Sequence, residues 1–537
     1  MIDKAYLVAS GDLRESANQS CWPAQLEMEA KLTQAFRSMG CMLERAHEAP
    51  LGSHGFIASQ RQGMDIFRSL DRNAPIVVAE SVWQYSHHVL AGLLRHEGPI
   101  LTVANWSGQW PGLVGVLNLN GCLAKAGVEY STLWSKAFDD PFFLKHLESW
   151  LNGTIIRHDR SHVKRFADAN LPEKARDLGV RLAAEAKERM TILGVFDEGC
   201  MGMYNAILPD ELLFPLGFFK ERLSQSALYA GMLEVSDMEA RAVFEWILAT
   251  GMNFEWGSDE SSELTERQVL EQCRMYVAAC RIGAEYACDA IGIQYQQGLK
   301  DLCAASDLVE GLLNNSERPP VTNKNGALIR PGKPFTHFNE VDEAAGVDGV
   351  MTQWVHEALR QPAENTLHDL RWGDRYRSGS TDVFVWTFQI SGGAPAAHHE
   401  RGYAGSTGYR QIPMYFPSGG ATLSGVAKEG EIIWSRVFVE SGELRMDIGR
   451  GRALTLPDGE TERRRQATTA QWPIMNAVTY GVSRDQMMGS HKANHVQVAY
   501  ARDEESADLC CYAKAALANS LGIAVSFCGT RANGASF

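Results

Sequence analysis

The stretch Thr191-Ile-Leu-Gly-Val-Phe196, closed by Asp197-Glu-Gly-Cys-Met-Gly-Met203, decides the fold class. A short apolar run with β-branched Ile192 and Val195, ended by a turn that carries two glycines, reads as a parallel strand buried on both faces. The same unit occurs earlier in the chain. Ala5-Tyr-Leu-Val-Ala9 ends in Ser10-Gly11-Asp12, and helix formers fill residues 24–39. Ala74-Pro-Ile-Val-Val-Ala79 and Ile100-Leu-Thr-Val-Ala104 repeat the strand signal, the second leading into a turn broken by Gly and Pro. Strand–helix alternation therefore starts twice, near the N-terminus and again near residue 190. After the second start, Val269, Cys273, Val277 and Cys280 recur at three- and four-residue steps, a helix stripe over 264–286. Ala290-Ile-Gly-Ile293 then resumes as a strand.

Beyond about residue 370 the long helix patterns thin out. Asp382-Val-Phe-Val-Trp-Thr-Phe-Gln-Ile390 is followed by Gly392-Gly393, Gly402, Gly405, Gly408 and Gly419-Gly420. Ile432-Ile-Trp-Ser-Arg-Val-Phe-Val439 and Glu443-Leu-Arg-Met-Asp-Ile448 read as antiparallel partners around Glu440-Ser-Gly442, with a late helix over 505–521. The expected fold is α/β: two N-terminal Rossmann-like domains with parallel sheets, 1–165 and 166–350, then a β-rich, barrel-like C-terminal domain, 351–537. At ~100–200 residues per domain, 537 residues make roughly three domains.

Composition narrows the function. The net charge is −14, and the densest basic cluster, Arg463-Arg464-Arg465, follows Glu460 and Glu462. Clustered cations are what bind polyanions, so no nucleic-acid or anionic-membrane surface is expected. No window reaches ~18 uninterrupted apolar residues, so no membrane span is expected. Eleven cysteines without CxxC spacing, two of them adjacent at Cys510-Cys511, suit buried thiols better than a disulfide framework. With an N-terminus Met1-Ile-Asp-Lys-Ala-Tyr6 that lacks a basic region followed by an apolar core, they give the expectation of a cytoplasmic protein. Small-molecule chemistry is left.

There is no P-loop and no HExxH. Ala404-Gly-Ser-Thr-Gly408 misses a nucleophile elbow by its first glycine. Gly199-Cys-Met-Gly202 could cradle an anionic or polar ligand, although a tight strand-to-helix turn is the commoner use. Three polar positions stand at the edges of apolar elements: Phe338-Asn-Glu340-Val-Asp342, Leu367-His-Asp369-Leu-Arg371-Trp372 and Ala493-Asn494-His495. A glutamate, an aspartate and a histidine make a mixed oxygen and nitrogen donor set suited to Mn²⁺, though surface charge is the commoner meaning of such a triple. His491 and His495, four apart, more often reflect coincidence than a metal pair.

These motifs, in this order, resemble the L-fucose isomerase family, relatives of L-arabinose isomerase, over most of the chain. Gly11-Asp-Leu-Arg14-Glu15-Ser16 is similar to the family's first βα turn, Val82-Trp83-Gln-Tyr85 to its aromatic segment, and Asn105-Trp-Ser-Gly-Gln-Trp-Pro111-Gly112 to its glycine-proline turn. Ile293-Gln294-Tyr-Gln296 is similar to the glutamine pair near the substrate, and Trp472-Pro473 to the active-site Trp-Pro. The resemblance assigns Glu340, Asp369 and His495 as metal ligands, with Asn494 the polar neighbour of the histidine. Tyr403 and Tyr409 are both candidates for a substrate tyrosine in the glycine-rich stretch 391–424, where the similarity is poorest.

The resemblance implies a metal-dependent aldose–ketose isomerase that moves a proton between C1 and C2 of an open-chain sugar through an ene-diol. Glu340 and Asp369 are then both ligands and proton carriers, and the cation stabilises the developing negative charge. Gln294, Trp83 and Trp472 hold the sugar's hydroxyls and apolar face. A homohexamer is implied, with Trp83 lent by an adjoining subunit. Two alternatives stay open: a catalytically inactive sugar-binding or regulatory protein on the same scaffold, and an isomerase of a modified, acidic sugar.

Overall fold

The computed structural model describes residues 1–50 and 52–537. Five strands near the N-terminus, β1 (Lys4–Val8), β2 (Met42–Arg45), β3 (Ile76–Glu80), β4 (Ile100–Asn105) and β5 (Ser131–Ser135), form a parallel sheet in the order β2-β1-β3-β4-β5. Along β3, alternate side chains enter different cores. Val77 and Ala79 pack on one face, Ile76 and Val78 on the other. Helices cover both faces, which is why these strands read as unbroken apolar runs. The order reverses between β1 and β3, and a crevice opens there beyond the strands' C-terminal ends.

A short strand, β6 (Val163–Arg165), precedes the second parallel sheet, in which β7 (Thr191–Phe196) lies between β8 (Phe218–Leu223) and β10 (Ala290–Ile293). Strand β9 (Asn253–Phe254) pairs instead with β13 (Thr407–Gly408). The remaining strands are β11 (Asn365–Ser378), β12 (Thr381–Gln389), β14 (Gly430–Glu440), β15 (Glu443–Ala453), β16 (Ile474–Thr479), β17 (His495–Ala501) and β18 (Ala524–Cys528). Antiparallel pairings run β14-β17-β11-β12-β16-β15 and return to β14, so six strands close into a barrel. β18 joins β15 in parallel, and β6 joins β18. The chain around residue 165, where sequence placed a boundary, is thus strand in the last sheet. The helix that follows it, Glu173–Arg189, packs on the helix Glu504–Leu521. Gly179 permits that approach, since a Cβ there would lie 2.5 Å from the Ala516 Cβ.

The ten cysteines with described side chains are buried and unpaired. Among the described residues no helix is long and apolar enough to cross a membrane.

One helix, Glu343–Ala358, runs through the middle of these layers and is buried on nearly all sides. Its N-cap Asp342 and its residues Glu343 and Asp348 are completely buried carboxylates, each held by a buried cation from a different element. Arg436 of β14 reaches Asp342 at 2.5 Å, and Lys220 of β8 reaches Glu343 at 3.0 Å. Lys514, from the helix Glu504–Leu521, bonds Asp348 together with Thr352 and Ser435. Removing one partner of such a pair strands the other charge in a medium that cannot solvate it. Lys514→Met is therefore expected to destabilise the fold by about 3–5 kcal/mol, read as a lowered urea midpoint. A midpoint equal to wild type would mean that Asp348 needs no counter-charge.

Candidate functional site

The two parallel sheets and the barrel converge on one cleft, lined by loops that leave strand ends and by the barrel strand β11. From the end of β1 comes Arg14, locked by Asp12 through Nε and Nη2 at 2.8 and 2.7 Å. Its guanidinium also lies 4.6 Å from the ring centre of Tyr415. From the end of β3 comes Trp83. The loop carrying it is tied back to the first turn by Tyr85 N–H donating to Gly11 O and by Ser10 Oγ donating to Tyr85 O. Pro111 and Val114 follow β4, Met201 follows β7 and Gln296 follows β10. Gly199-Cys-Met-Gly202 is a tight turn with φ of +132° and +78° at its glycines, and it carries Met201 into the cleft.

The charged floor comes from the central helix and the barrel. Glu340 and Val341 both have left-handed backbones, at φ 56° and 54°. That is an unfavourable conformation, above all for a β-branched residue, and it turns the chain just before the helix Glu343–Ala358. Asp369 on β11 and His495 on β17 are directly opposed cross-strand partners, so register alone brings their side chains together. His495 Nε2 lies 3.4 Å from Asp369 Oδ1 and 3.8 Å from Glu340 Oε2. Its Nδ1 bonds Asp342 Oδ2 at 2.7 Å. Asn494 Nδ2 approaches Asp369 Oδ1 at 3.4 Å, and Gln296 Nε2 approaches Glu340 Oε1 at 3.5 Å.

Burial raises the Glu340 carboxyl to about 7, against the opposing pull of His495. Burial likewise raises Asp369. Burial disfavours the His495 cation, but its bond to Asp342 and the facing carboxylates outweigh this and raise it. Asp342 is buried too, yet Arg436 and His495 hold it below the usual carboxylate range.

Among the described residues neither Glu340 nor Asp369 has a Lys or Arg within ion-pairing distance; His495 is their shared partner. Two buried carboxylates without a fixed cation, facing one ring nitrogen, are a donor set of the type that holds a hard or borderline divalent ion. As the side chains stand they do not close on a common point: among the described residues no group of three or more His, Cys, Asp or Glu forms a finished metal cage. Glu340, Asp369 and His495 share only the donor chemistry and the mutual facing that such an ion requires.

Of the residues named from sequence, Trp83, Trp472, Asn494, Glu340 and Asp369 line the cleft, and His495 lies against its two carboxylates. Gln294 does not line it. Its Oε1 accepts the Gln296 N–H at 3.3 Å, shaping the turn that delivers Gln296 instead. Trp83 lines the cleft beside Glu340 and Asp369 of the same chain, and the bonds between the β1 and β3 loops fold it inward. Tyr403 and Tyr409 are not in the cleft wall. Tyr403 bonds Glu317 O elsewhere, and the tyrosine in the wall is Tyr415. His491 is no second ligand, since its Nε2 meets the His495 carbonyl. Ser406 of the near-miss elbow is fully buried outside the cleft, against His399. Arg371, Ser391, Tyr415 and Phe416 were missed as site residues. The last two sit in a loop with no periodicity to mark them.

Behind the cleft, Trp472 Nε1 donates to Gln411 Oε1 at 2.8 Å. Gln411 Nε2 and Asp307 both crowd Gly392, where φ is +86° and a Cβ would lie 2.2 Å from Gln411 Nε2 and 2.3 Å from Asp307 Oδ1. Asp307 and Glu310, neighbours on one helix, are buried, and each has an oxygen without a hydrogen-bond partner among the described residues.

No protein-family model matches the chain, and no curated protein matches it.

Burial holds the carboxyls of Asp307 and Glu310 well above the usual carboxylate range. A carboxyl that stays protonated when folded but ionises near pH 4 when unfolded adds stability that is complete below about pH 4. That stability is lost as pH rises toward the folded-state value. Asp307→Asn keeps the shape and removes the ionisation, so it is expected to flatten the fall of the denaturation midpoint between about pH 5 and 8. A wild-type slope in the variant would show that Asp307 contributes none of it.

Proposed function

We propose that the chain is a metal-dependent aldose–ketose isomerase of the L-fucose isomerase type, acting on an open-chain sugar through an ene-diol. One observation carries the reading: Glu340 and Asp369, buried with no Lys or Arg in ion-pairing distance among the described residues, meet His495 in a cleft walled by Trp83 and Trp472. The finer plan of two Rossmann-like domains over 1–165 and 166–350 and a barrel-like domain over 351–537 belongs to the same reading. So do a cytoplasmic location and a homohexamer.

In this mechanism Glu340, Asp369 and His495 would hold a divalent cation, Mn²⁺ by resemblance, which would supply polarisation of the sugar oxygens beside C1 and C2. One carboxylate takes the proton from carbon while the other serves the oxygens. Trp83 and Trp472 offer flat faces to the C–H side of a sugar. The Trp472 N–H is already engaged by Gln411, so this ring acts through its face. Gln296 and Asn494 stand beside the carboxylates, where they can accept or donate to hydroxyls.

The test is a panel of aldoses and ketoses incubated with Mn²⁺, with products read by NMR. Protein stripped with EDTA is expected to lose activity and to regain it with Mn²⁺. Glu340→Gln and Asp369→Asn are each expected to lower turnover by about 10²–10⁴-fold with the fold intact, metal content being measured alongside. Full activity in stripped protein, or either variant keeping more than roughly a tenth of the rate, would overturn the assignment. Trp83 and Glu340 line the cleft of one chain. Mixed, subunit-exchanged Trp83→Ala and Glu340→Gln proteins are therefore expected to stay inactive, and recovered activity would mean a site shared between subunits.

A further inference from the structure

Asp342 is the meeting point of three elements. Its Oδ1 accepts the Ala345 N–H at 2.9 Å and so caps the helix Glu343–Ala358. Its Oδ2 accepts both Arg436 Nη1 of β14, at 2.5 Å, and His495 Nδ1 of β17, at 2.7 Å. Asp342, Arg436 and His495 are 0%, 1% and 2% exposed, so water does not compete for these bonds. With Nδ1 donating, the nitrogen left to face Glu340 and Asp369 is Nε2.

The same carboxylate governs Glu340. Only Val341 separates the two, and both Glu340 and Val341 are left-handed. Wherever Asp342 is anchored, the direction of Glu340 follows through two stiff peptide units. One carboxylate therefore sets two of the three donors, His495 through a hydrogen bond and Glu340 through the backbone.

Arg436 differs from the other cations that hold this helix. Lys220 bonds Leu208 O and Glu198 besides Glu343, and Lys514 bonds Asp348, Thr352 and Ser435. Both are well satisfied, as cations that knit a fold should be. Arg436 Nε and Nη2 have no partner among the described residues, although the side chain is fully buried. A buried guanidinium kept at that cost, against one carboxylate, calls for a reason other than packing.

We propose that Asp342 and Arg436 form a positioning clamp that aligns His495 and Glu340 and thereby sets the affinity of the site for its divalent cation; this rests on the metal reading given above. Neither residue is assigned contact with the ion or the sugar. They act through the ligands, as outer partners of metal-bound histidines do.

The test is titration of EDTA-stripped, full-length protein with Mn²⁺ alone, followed by calorimetry and by the EPR signal of free Mn²⁺. Asp342→Asn is expected to weaken Mn²⁺ binding about 10–100-fold in protein whose circular dichroism matches wild type. Arg436→Lys keeps the charge but not the planar fork, and is expected to weaken it less; it carries the test if Asp342→Asn does not fold. Lys220→Met breaks the neighbouring pair on Glu343, and is expected to lower the denaturation midpoint while leaving Mn²⁺ affinity unchanged. Wild-type affinity in folded Asp342→Asn or Arg436→Lys overturns the clamp alone, and so does an equal loss in Lys220→Met. Wild-type protein that takes up no Mn²⁺ overturns the clamp together with the metal reading beneath it.

Discussion

Three carboxylates at the start of one helix have no access to water, and their need for counter-charge organises the molecule. Asp342, Glu343 and Asp348 are fully buried, and their cations come from the barrel, the three-stranded sheet and the last long helix. A buried ion pair adds little net stability over a well-packed apolar pair, but breaking it is expensive. Such pairs therefore discriminate between arrangements more than they strengthen any one. Here they allow the Glu343–Ala358 helix a single seat, in which each acid meets its own cation.

That seat positions the cleft. The floor of the cleft is built from parts with little freedom: a strained turn at Glu340 and two opposed residues, Asp369 and His495, on neighbouring barrel strands. Its walls come from loops at the strand ends of both parallel sheets, from the long segment between β12 and β14, and from Trp472 in the turn before β16. Arg371 ties floor to wall, donating from Nε to Gly108 O and from Nη2 to Gln109 O and Thr469 Oγ1. The carboxylates and the histidine sit on the rigid part and most of the wall on the loops, the usual division between scaffold and surface.

What could be read from sequence was what is local. Strands β7 and β10 occupy the residues their apolar runs marked, because a strand buried on both faces writes its whole environment into consecutive positions. Glu340, Asp369 and His495 could be singled out one by one, but their approach depends on the β11–β17 register, which no local pattern encodes. Asp342 stood in the quoted motif and still gave no sign of its role, since an aspartate before a helix looks like any N-cap. Gln294 was preferred to Gln296 because a turn, unlike a strand or helix, has no period that tells which side chain points where. Tyr415 lies in a stretch shaped by left-handed glycines at 402, 419 and 420, where neither helical nor strand spacing applies. Whether Trp83 serves its own chain or a neighbour is a matter of how whole layers dock, and composition is silent on that.

The pairing of Asp369 with His495 also bears on how the protein comes into being. During synthesis the chain leaves the ribosome from its N-terminus, and segments fold as they emerge. Both parallel sheets can form early, since β10 ends at Ile293. The acids at 340 and 369 must wait far longer, because their partner belongs to a strand that spans His495–Ala501, well downstream of both. Arg436 and Lys514 arrive late as well. The nascent chain therefore carries these carboxylates unpaired until those partners emerge, and the centre of the molecule is completed only after β17 and the helix Glu504–Leu521 have been made.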